Sequence, residues 1–371
     1  MSSTTPSHLT LPSDHPLSTF AAQSALIRAY RGERAATPPV WFMRQAGRSL
    51  PEYRELRVGT QMLDACLDPA LASEITLQPV RRHGVDAGIF FSDIMIPLRL
   101  AGVGVEIEPG VGPVIDSPVN TPEAVERLIE TDPAVLDTTL DPIREGVALT
   151  VAGLADLGPT PLIGFAGAPF TLAAYLVGGR PSKDHMQARR LMLAHPESWA
   201  KLMEWCADVT GRFLRAQIES GASAAQLFDS WAGSLPKSLY LEHVRPASAK
   251  ALEHVRDLRT VEGDSVPLVH FAVGAGELYD VMNLDVDAIG VDWRTPIDEA
   301  YARMGSNVTV QGNIDPAYLG APWEILRAQI DDIIARASVA RAHVLNLGHG
   351  VPPETDPTVL TRIVEYVHGG E

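Results

Sequence analysis

A chain of 371 residues, 46% hydrophobic and 20% charged, can bury a large core and fold without help. Its formal charge of −16 argues against nucleic acid or an anionic membrane as the main partner, and no apolar run approaches the roughly 18 residues of a membrane span. Cys66 and Cys206 stand apart from any CxxC or Cys/His spacing, which argues against a disulfide scaffold or structural zinc and fits a reducing, cytoplasmic setting.

The chain starts with Ser, Thr and Pro, two His and no Lys or Arg through residue 20. This excludes a signal peptide and predicts a disordered N-terminal tail over 1–19. Residues 20–371 then read as one domain, because no low-complexity linker divides them and barrel folds routinely run to this length. From Arg28 to Arg57 the composition inverts: seven Arg (28, 31, 34, 44, 48, 54, 57) face three Glu (33, 52, 55), a local balance of +4. Arg without Lys points to bidentate recognition of carboxylate or phosphate, against the plainer reading of a solvated helix face.

Eight short apolar runs follow in order: VWFM (40–43), AGIFF (87–91), PLIGF (161–165), AAQLF (224–228), VPLVHF (266–271), AIGV (288–291), VTVQ (308–311) and HVLNL (343–347). They are continuous rather than alternating, as expected of parallel strands covered on both faces. Helical stripes separate most of them, for example Leu326, Ile330, Ile333 and Ile334, and Val359 to Val367 closes the chain. The spacing predicts an α/β fold, a distorted (β/α)8 barrel, with an open doubly wound sheet as the alternative. Residues 98–118, alternating and Gly-rich, predict a β-hairpin inserted after the second strand, and 182–218 predicts one or two helices.

In a barrel the chemistry sits where strands end. Those ends read MRQAGR (43–48), SDI (92–94), AGAPFT (166–171), DSWAG (229–233), AVGAG (272–276), DW (292–293), GNID (312–315) and GHG (348–350). Six contain Gly close to the strand, where backbone can approach a ligand. GVGVEI (102–107) lacks the third Gly of a dinucleotide fingerprint, and no Walker loop, GxSxG or HExxH occurs. The pattern leaves an enzyme that uses none of these, or a binder of something anionic.

PVWFMRQAGRSLPEYRELR (39–57) closely resembles the N-terminal motif of the uroporphyrinogen decarboxylases. So do FFSDIMIPLRLAGVGVEIEPGVGP (90–113), PLIGFAGAPFTLAAYLVGG (161–179), LFDSWAG (227–233), GVDWRT (290–295), VTVQGNIDP (308–316) and NLGHG (346–350), covering the chain from about residue 20 to its end. The resemblance implies a cytoplasmic homodimer of distorted (β/α)8 barrels that needs no cofactor or metal. It also implies conversion of uroporphyrinogen III to coproporphyrinogen III by loss of four acetate carboxyls. The physical chemistry is compatible: protonating a pyrrole carbon makes a cationic electron sink within the substrate, so the protein need only stabilise that charge, move protons and hold carboxylates.

Carried over residue by residue, Asp93 would accept the pyrrole N–H groups and stabilise the cation; the competing reading is a structural loop Asp. Arg44 and Arg48 would bind substrate carboxylates, with Arg44 also placed for proton delivery; the competing reading is a rim salt bridge. Tyr175 and Ser230 would offer hydroxyls, and His349, between two glycines, would bind a propionate or move a proton. Gln45 and Ala46 would offer backbone N–H groups. Some relatives carry a Lys just after the fifth strand; this chain reads HFAVGAG (270–276), and no role is assigned there. Two rivals stand beside this reading. A zinc-dependent corrinoid methyltransferase of the same superfamily needs thiolate ligands that His270-Phe-Ala272 and Gly-His349-Gly lack. A non-catalytic tetrapyrrole carrier would need the Arg cluster but not Asp93.

Overall fold

The computed structural model describes residues 8–305 and 307–369. Its strands are β1 (Leu9–Thr10), β2 (Gly88–Ile89), β3 (Val105–Glu108), β4 (Gly112–Ile115), β5 (Leu162–Gly167), β6 (Ala224–Asp229), β7 (Leu258–Arg259), β8 (Leu268–Ala272), β9 (Ala288–Gly290), β10 (Thr309–Gln311) and β11 (His343–Val344). Seven of them make one parallel sheet in the order β11-β10-β9-β8-β6-β5-β2, so chain order and spatial order coincide around the wall. Nearly every residue of β5, β6, β8, β9 and β10 is buried, which explains the continuous apolar runs: one face lines the interior and the other meets helices.

The first predicted strand, 40–43, survives as a single bridge, and that bridge links the two edges of the sheet. Val40 pairs in parallel with Leu345, Leu345 N–H donates to Pro39 O at 2.9 Å, and on the other side Asp86 N–H donates to Val40 O at 2.8 Å. Side chains stop the ladder there. Phe42 N–H is taken by Gln45 Oε1 at 3.0 Å and Met43 N–H by Asn346 Oδ1 at 3.0 Å, so neither is free to extend it. Inside the barrel Gln311 donates to Gln226 Oε1 at 3.0 Å and accepts from Tyr30 Oη at 2.6 Å and Trp41 Nε1 at 3.2 Å. All four side chains are buried, so the interior is filled by a polar network, in which only the Gln226 amide nitrogen lacks a partner among the described residues, as well as by Phe165, Phe228 and Phe271.

The helices use standard terminal chemistry. Asp68 caps the helix Pro69–His83 by accepting from Leu71 N–H at 3.0 Å, and Gly84 ends it in the left-handed region at φ 63°. The stretch after β5 makes two helices, Met186–Ala194 and Pro196–Glu219, broken where Pro196 has no N–H to give. In the Gly-rich stretch that precedes β5, β3 and β4 pair antiparallel, Val105 opposite Ile115, and the ribbon is tied to the end of the helix Pro169–Gly178 by Ile115 N–H to Gly179 O at 2.8 Å.

One expectation is corrected. Residues 8–19 were predicted as part of a disordered tail, yet they pack against the fold; residues 1–7 lie outside the described residues. β1 pairs in parallel with β7, Leu11 and Leu17 are fully buried, and His15 bridges to Ile218 O at 2.9 Å. Three leucines among polar residues are a weak local signal, but residues 257–259 present free backbone groups that satisfy Leu9 and Leu11 N–H.

Candidate active site

The carboxyl ends of the strands bring Arg44, Asp93, Tyr175, Ser230 and His349 to one mouth. Arg44 turns the chain out of the Val40 bridge with φ at 60°, the left-handed region that a non-glycine residue enters at a cost. Its side chain is exposed and makes no hydrogen bond or ion pair among the described residues. It runs across Gly350, where any Cβ would collide with the Arg44 methylenes, while a Cβ at Gly348 would strike the Trp293 backbone. Gly348 is therefore required by the close approach of the Trp293 backbone, while a side chain at Gly350 would displace Arg44 from its present position.

Asp93 follows β2 and is half-buried. One carboxylate oxygen accepts from Met95 N–H at 2.8 Å and the Asp93 carbonyl accepts from Ile96 N–H at 3.0 Å, so Asp93 shapes the turn into the helix Ile96–Leu100. The structural role weighed from sequence is thus real, but it engages only one of the two oxygens. Burial pushes the Asp93 carboxyl up, opposed by the Met95 N–H and by the positive charge of Arg44. Tyr175, buried on the helix Pro169–Gly178, is pushed up to about 12 by burial and by the Asp93 charge, with Arg44 pulling the other way. His349 is pushed down by burial and then by Arg44 and Arg294, against the Gly350 backbone and Asp292. Arg44 is the common neighbour of all three groups.

Ser230 is half-buried immediately after β6, one residue before Trp231, whose ring packs on Tyr175 at 5.9 Å. Arg48 is exposed and without a side-chain partner among the described residues; its field falls on Tyr53, and its carbonyl accepts from Arg54 at 2.8 Å. The two predicted backbone donors part company. Ala46 N–H has no partner among the described residues, whereas Gln45 N–H donates to Phe42 O at 3.0 Å. The Gln45 side chain, fully buried, also donates to Ala87 O at 2.9 Å. Gln45 is therefore corrected from ligand donor to a strut that joins the Val40 segment to β2, because its hydrogen bonds are consumed in closing the wall.

Two features of the mouth were missed from sequence. Asp292 is fully buried and accepts from Gly274 N–H at 2.6 Å and from Arg294 at 2.6 Å, tying the ends of β8 and β9 together. Arg294 lies over Trp293 at 3.8 Å, and Trp293 meets His349 edge-on at 5.7 Å, which sets the plane of the imidazole. The Asp-x-Arg spacing in GVDWRT was the available signal. Trp231 is the second. Elsewhere, a cavity of about 480 Å³ opens at the amino end of the barrel beside Ser24, Arg81 and Asp86. Its charges are already engaged, Arg81 by Glu74 and Asp86 by His368, so the convergent free groups are those of the mouth. Among the described residues no cluster of His, Cys, Asp or Glu could hold a metal ion, and no helix is long and apolar enough to cross a membrane.

A mouth with unpaired guanidinium groups beside a desolvated carboxyl and a neutral imidazole can bind a polyanion and stabilise a cation formed within it. The family model described as uroporphyrinogen decarboxylase matches residues 21–370. A uroporphyrinogen decarboxylase of Leifsonia xyli subsp. xyli is 62% identical over 368 residues, covering 96% of this chain and 97% of that protein. One of Arthrobacter sp. is 61% identical, covering 94% and 97%, and one of Streptomyces avermitilis is 49% identical, covering 95% and 96%. Among solved structures, a methyltransferase from Methanosarcina mazei superposes with a TM-score of 0.75 over 95% of this chain and 98% of its own, at 16% identity. That likeness establishes the barrel fold alone.

Proposed function

The chain belongs to the uroporphyrinogen decarboxylase family and is an enzyme that decarboxylates uroporphyrinogen in tetrapyrrole biosynthesis; we propose that it does so at the mouth built around Arg44 and Asp93. The four acetate side chains of uroporphyrinogen III become methyls, giving coproporphyrinogen III. Each turnover consumes one proton and releases one CO2. The pyrrole ring is protonated on carbon, the acetate C–C electron pair flows into the cationic ring as CO2 leaves, the exocyclic carbon is protonated to a methyl, and the ring carbon then gives up its added proton to restore the pyrrole.

The observation that carries this reading is Arg44: unpaired, exposed, and the shared electrostatic neighbour of Asp93, Tyr175 and His349. Arg44 and Arg48 hold substrate carboxylates through charge-assisted hydrogen bonds worth roughly 1.5–3 kcal/mol each. The free oxygen of Asp93 accepts pyrrole N–H groups, and as the ring becomes cationic the favoured state of the carboxyl is the ionised one. Arg44 orders the proton source at the reacting ring. The Tyr175 and Ser230 hydroxyls and the Ala46 N–H contact further carboxylates, and His349, neutral near pH 7, receives a propionate or relays a proton. Electrons return to the ring within the substrate, so the steps call for no cofactor. The active form is a homodimer in which the partner shields the mouth from water; sedimentation showing only monomer at micromolar concentration would overturn that assembly. The reaction is tested by incubating pure protein anaerobically with uroporphyrinogen III and chromatographing the oxidised porphyrins. Stepwise conversion from eight to four carboxyls is expected, and no loss of carboxyls refutes the reading.

A further inference from the structure

Five rings form a continuous chain from the mouth into the helix layer. Tyr175 packs on Trp231 at 5.9 Å, Trp231 on His185 at 4.8 Å, His185 on Phe170 at 6.2 Å and Phe170 on Trp199 at 6.1 Å. The inner members are sealed from solvent, and Trp199 is anchored by its N–H to His243 O at 3.1 Å. His185 is held in the left-handed backbone region, φ 50°, by its N–H to Ser182 Oγ at 3.2 Å. Burial pushes its imidazole down to about 4, so the ring behind Trp231 is uncharged at neutral pH. Trp231 is thereby fixed against a rigid, neutral backing.

The Trp231 indole N–H is buried and makes no well-aligned hydrogen bond among the described residues, its one polar neighbour being the Tyr175 hydroxyl. An indole N–H only donates, so its partner has to be an acceptor. Buried donors left without a well-formed bond are uncommon in native folds, and each calls for an acceptor to explain it. The poorly aligned contact of the indole N–H with the Tyr175 hydroxyl makes that hydroxyl more acidic, while burial and Asp93 act against it. Trp231 thus places a second donor next to Tyr175, directly after Ser230.

We infer that Trp231 is a further substrate-positioning residue whose indole N–H, beside the Tyr175 hydroxyl, donates to one non-reacting carboxylate of the bound tetrapyrrole. This rests on the proposed function, which supplies a substrate with eight carboxylates. A contact to a carboxylate that does not react is the same in ground and transition states, so it acts on KM and leaves kcat alone.

The test uses the full-length enzyme with Trp231→Phe, which keeps an aromatic ring and removes the N–H, and Trp231→His, which restores a ring N–H on a smaller ring. Trp231→Phe is expected to raise KM for uroporphyrinogen III roughly tenfold, with kcat within about twofold and the thermal midpoint unchanged. Trp231→His is expected to recover part of the KM. A wild-type KM in Trp231→Phe overturns the inference, as does a lowered thermal midpoint with KM preserved, which would make the ring a packing element only. The wild type run alongside separates the failures: if it removes no carboxyl, the proposed function falls and this inference with it, whereas an active wild type with an unaffected Trp231→Phe overturns this inference alone.

Discussion

The arginines that precede the Val40 bridge and those that follow it belong to one cluster in sequence and to two environments in space. On the amino side each is engaged. Arg28 pairs with Glu33 at 2.8 Å, Arg31 with Asp264 at 3.1 Å, and Arg34 donates to Ala337 O at 2.9 Å and to Ala340 O. On the carboxyl side Arg44 and Arg48 have no side-chain partner among the described residues, while Arg54 and Arg57 brace the same loop through Arg48 O and Thr60 O. Composition therefore identifies a cationic segment, and the polarity of the barrel decides which cations are left for a ligand. A guanidinium engaged at the amino end contributes to the fold; one left without a partner at the carboxyl end is, on the proposed function, available for binding.

The largest effect that could break this comparison is expected at Asp93. Asp93→Asn keeps an oxygen for the Met95 N–H and so preserves the turn, but it removes the charge that the proposed function sets opposite the cationic ring. We expect kcat to fall by at least two orders of magnitude with a thermal midpoint close to wild type. A variant that is unstable but normally active would return Asp93 to a purely structural role. Asp93→Glu separates charge from geometry: more activity than Asn if charge dominates, less if the fixed distance does.

Next come the two sets of arginines. Arg44→Ala and Arg48→Ala should each raise KM by about tenfold to a hundredfold, the equivalent of one charge-assisted hydrogen bond, with the unfolding midpoint unchanged. Lys at either place should rescue only in part, because the bidentate fork is lost. Arg34→Ala should do the reverse, leaving KM alone and costing about 1 kcal/mol in denaturant titration through its carbonyl contacts. A KM effect at Arg34 or a stability effect at Arg44 would erase the distinction between the two ends.

The smallest effect concerns histidines. His83 and His343, both buried at the amino end, are pushed down to about 4, chiefly by burial. In the unfolded chain they titrate near 6.5, so between pH 6.5 and 4 the unfolded state binds more protons and stability falls as pH falls. His368 acts oppositely: its hydrogen bond to Asp86 raises it, a contribution present at low pH and lost as pH rises through its folded value. Denaturant midpoints at pH 7 and 5 should therefore decline, and His343→Gln should flatten the decline. His349 at the mouth, also pushed down, should instead show itself in the pH profile of kcat/KM. A His349→Asn variant with an unchanged profile would remove it from the reaction.

How much of this was legible beforehand differs by element. Seven of the eight apolar runs form wall strands, because burial on both faces leaves a continuous run that local pattern detects. The eighth, 40–43, read as a strand but is held by Gln45 and Asn346 side chains, a capture no periodicity reports. Asp93, Arg44 and His349 stood out because Gly, Asp and Arg directly after apolar runs are unusual neighbours. Gln45 stood beside them and was misassigned, since sequence shows that a residue is polar and not whether its hydrogen bonds are already used. The β1 strand and the Trp231 ring chain were missed for a related reason: each depends on a surface assembled from distant segments.

Apolar runs, Gly and Pro punctuation and the long family blocks, all readable from sequence, determined the barrel class and the reaction, and they nominated the carboxyl ends of the strands as the proposed site. They could do so because backbone sterics and burial act over a few residues. Tertiary structure alone decided which groups are satisfied. Tyr30 meets Gln311 across 281 residues, Met43 meets Asn346 across 303 and His15 meets Ile218 across 203. A polar side chain becomes a strut or a ligand contact according to whether such a distant partner reaches it, and that is settled only when the wall closes.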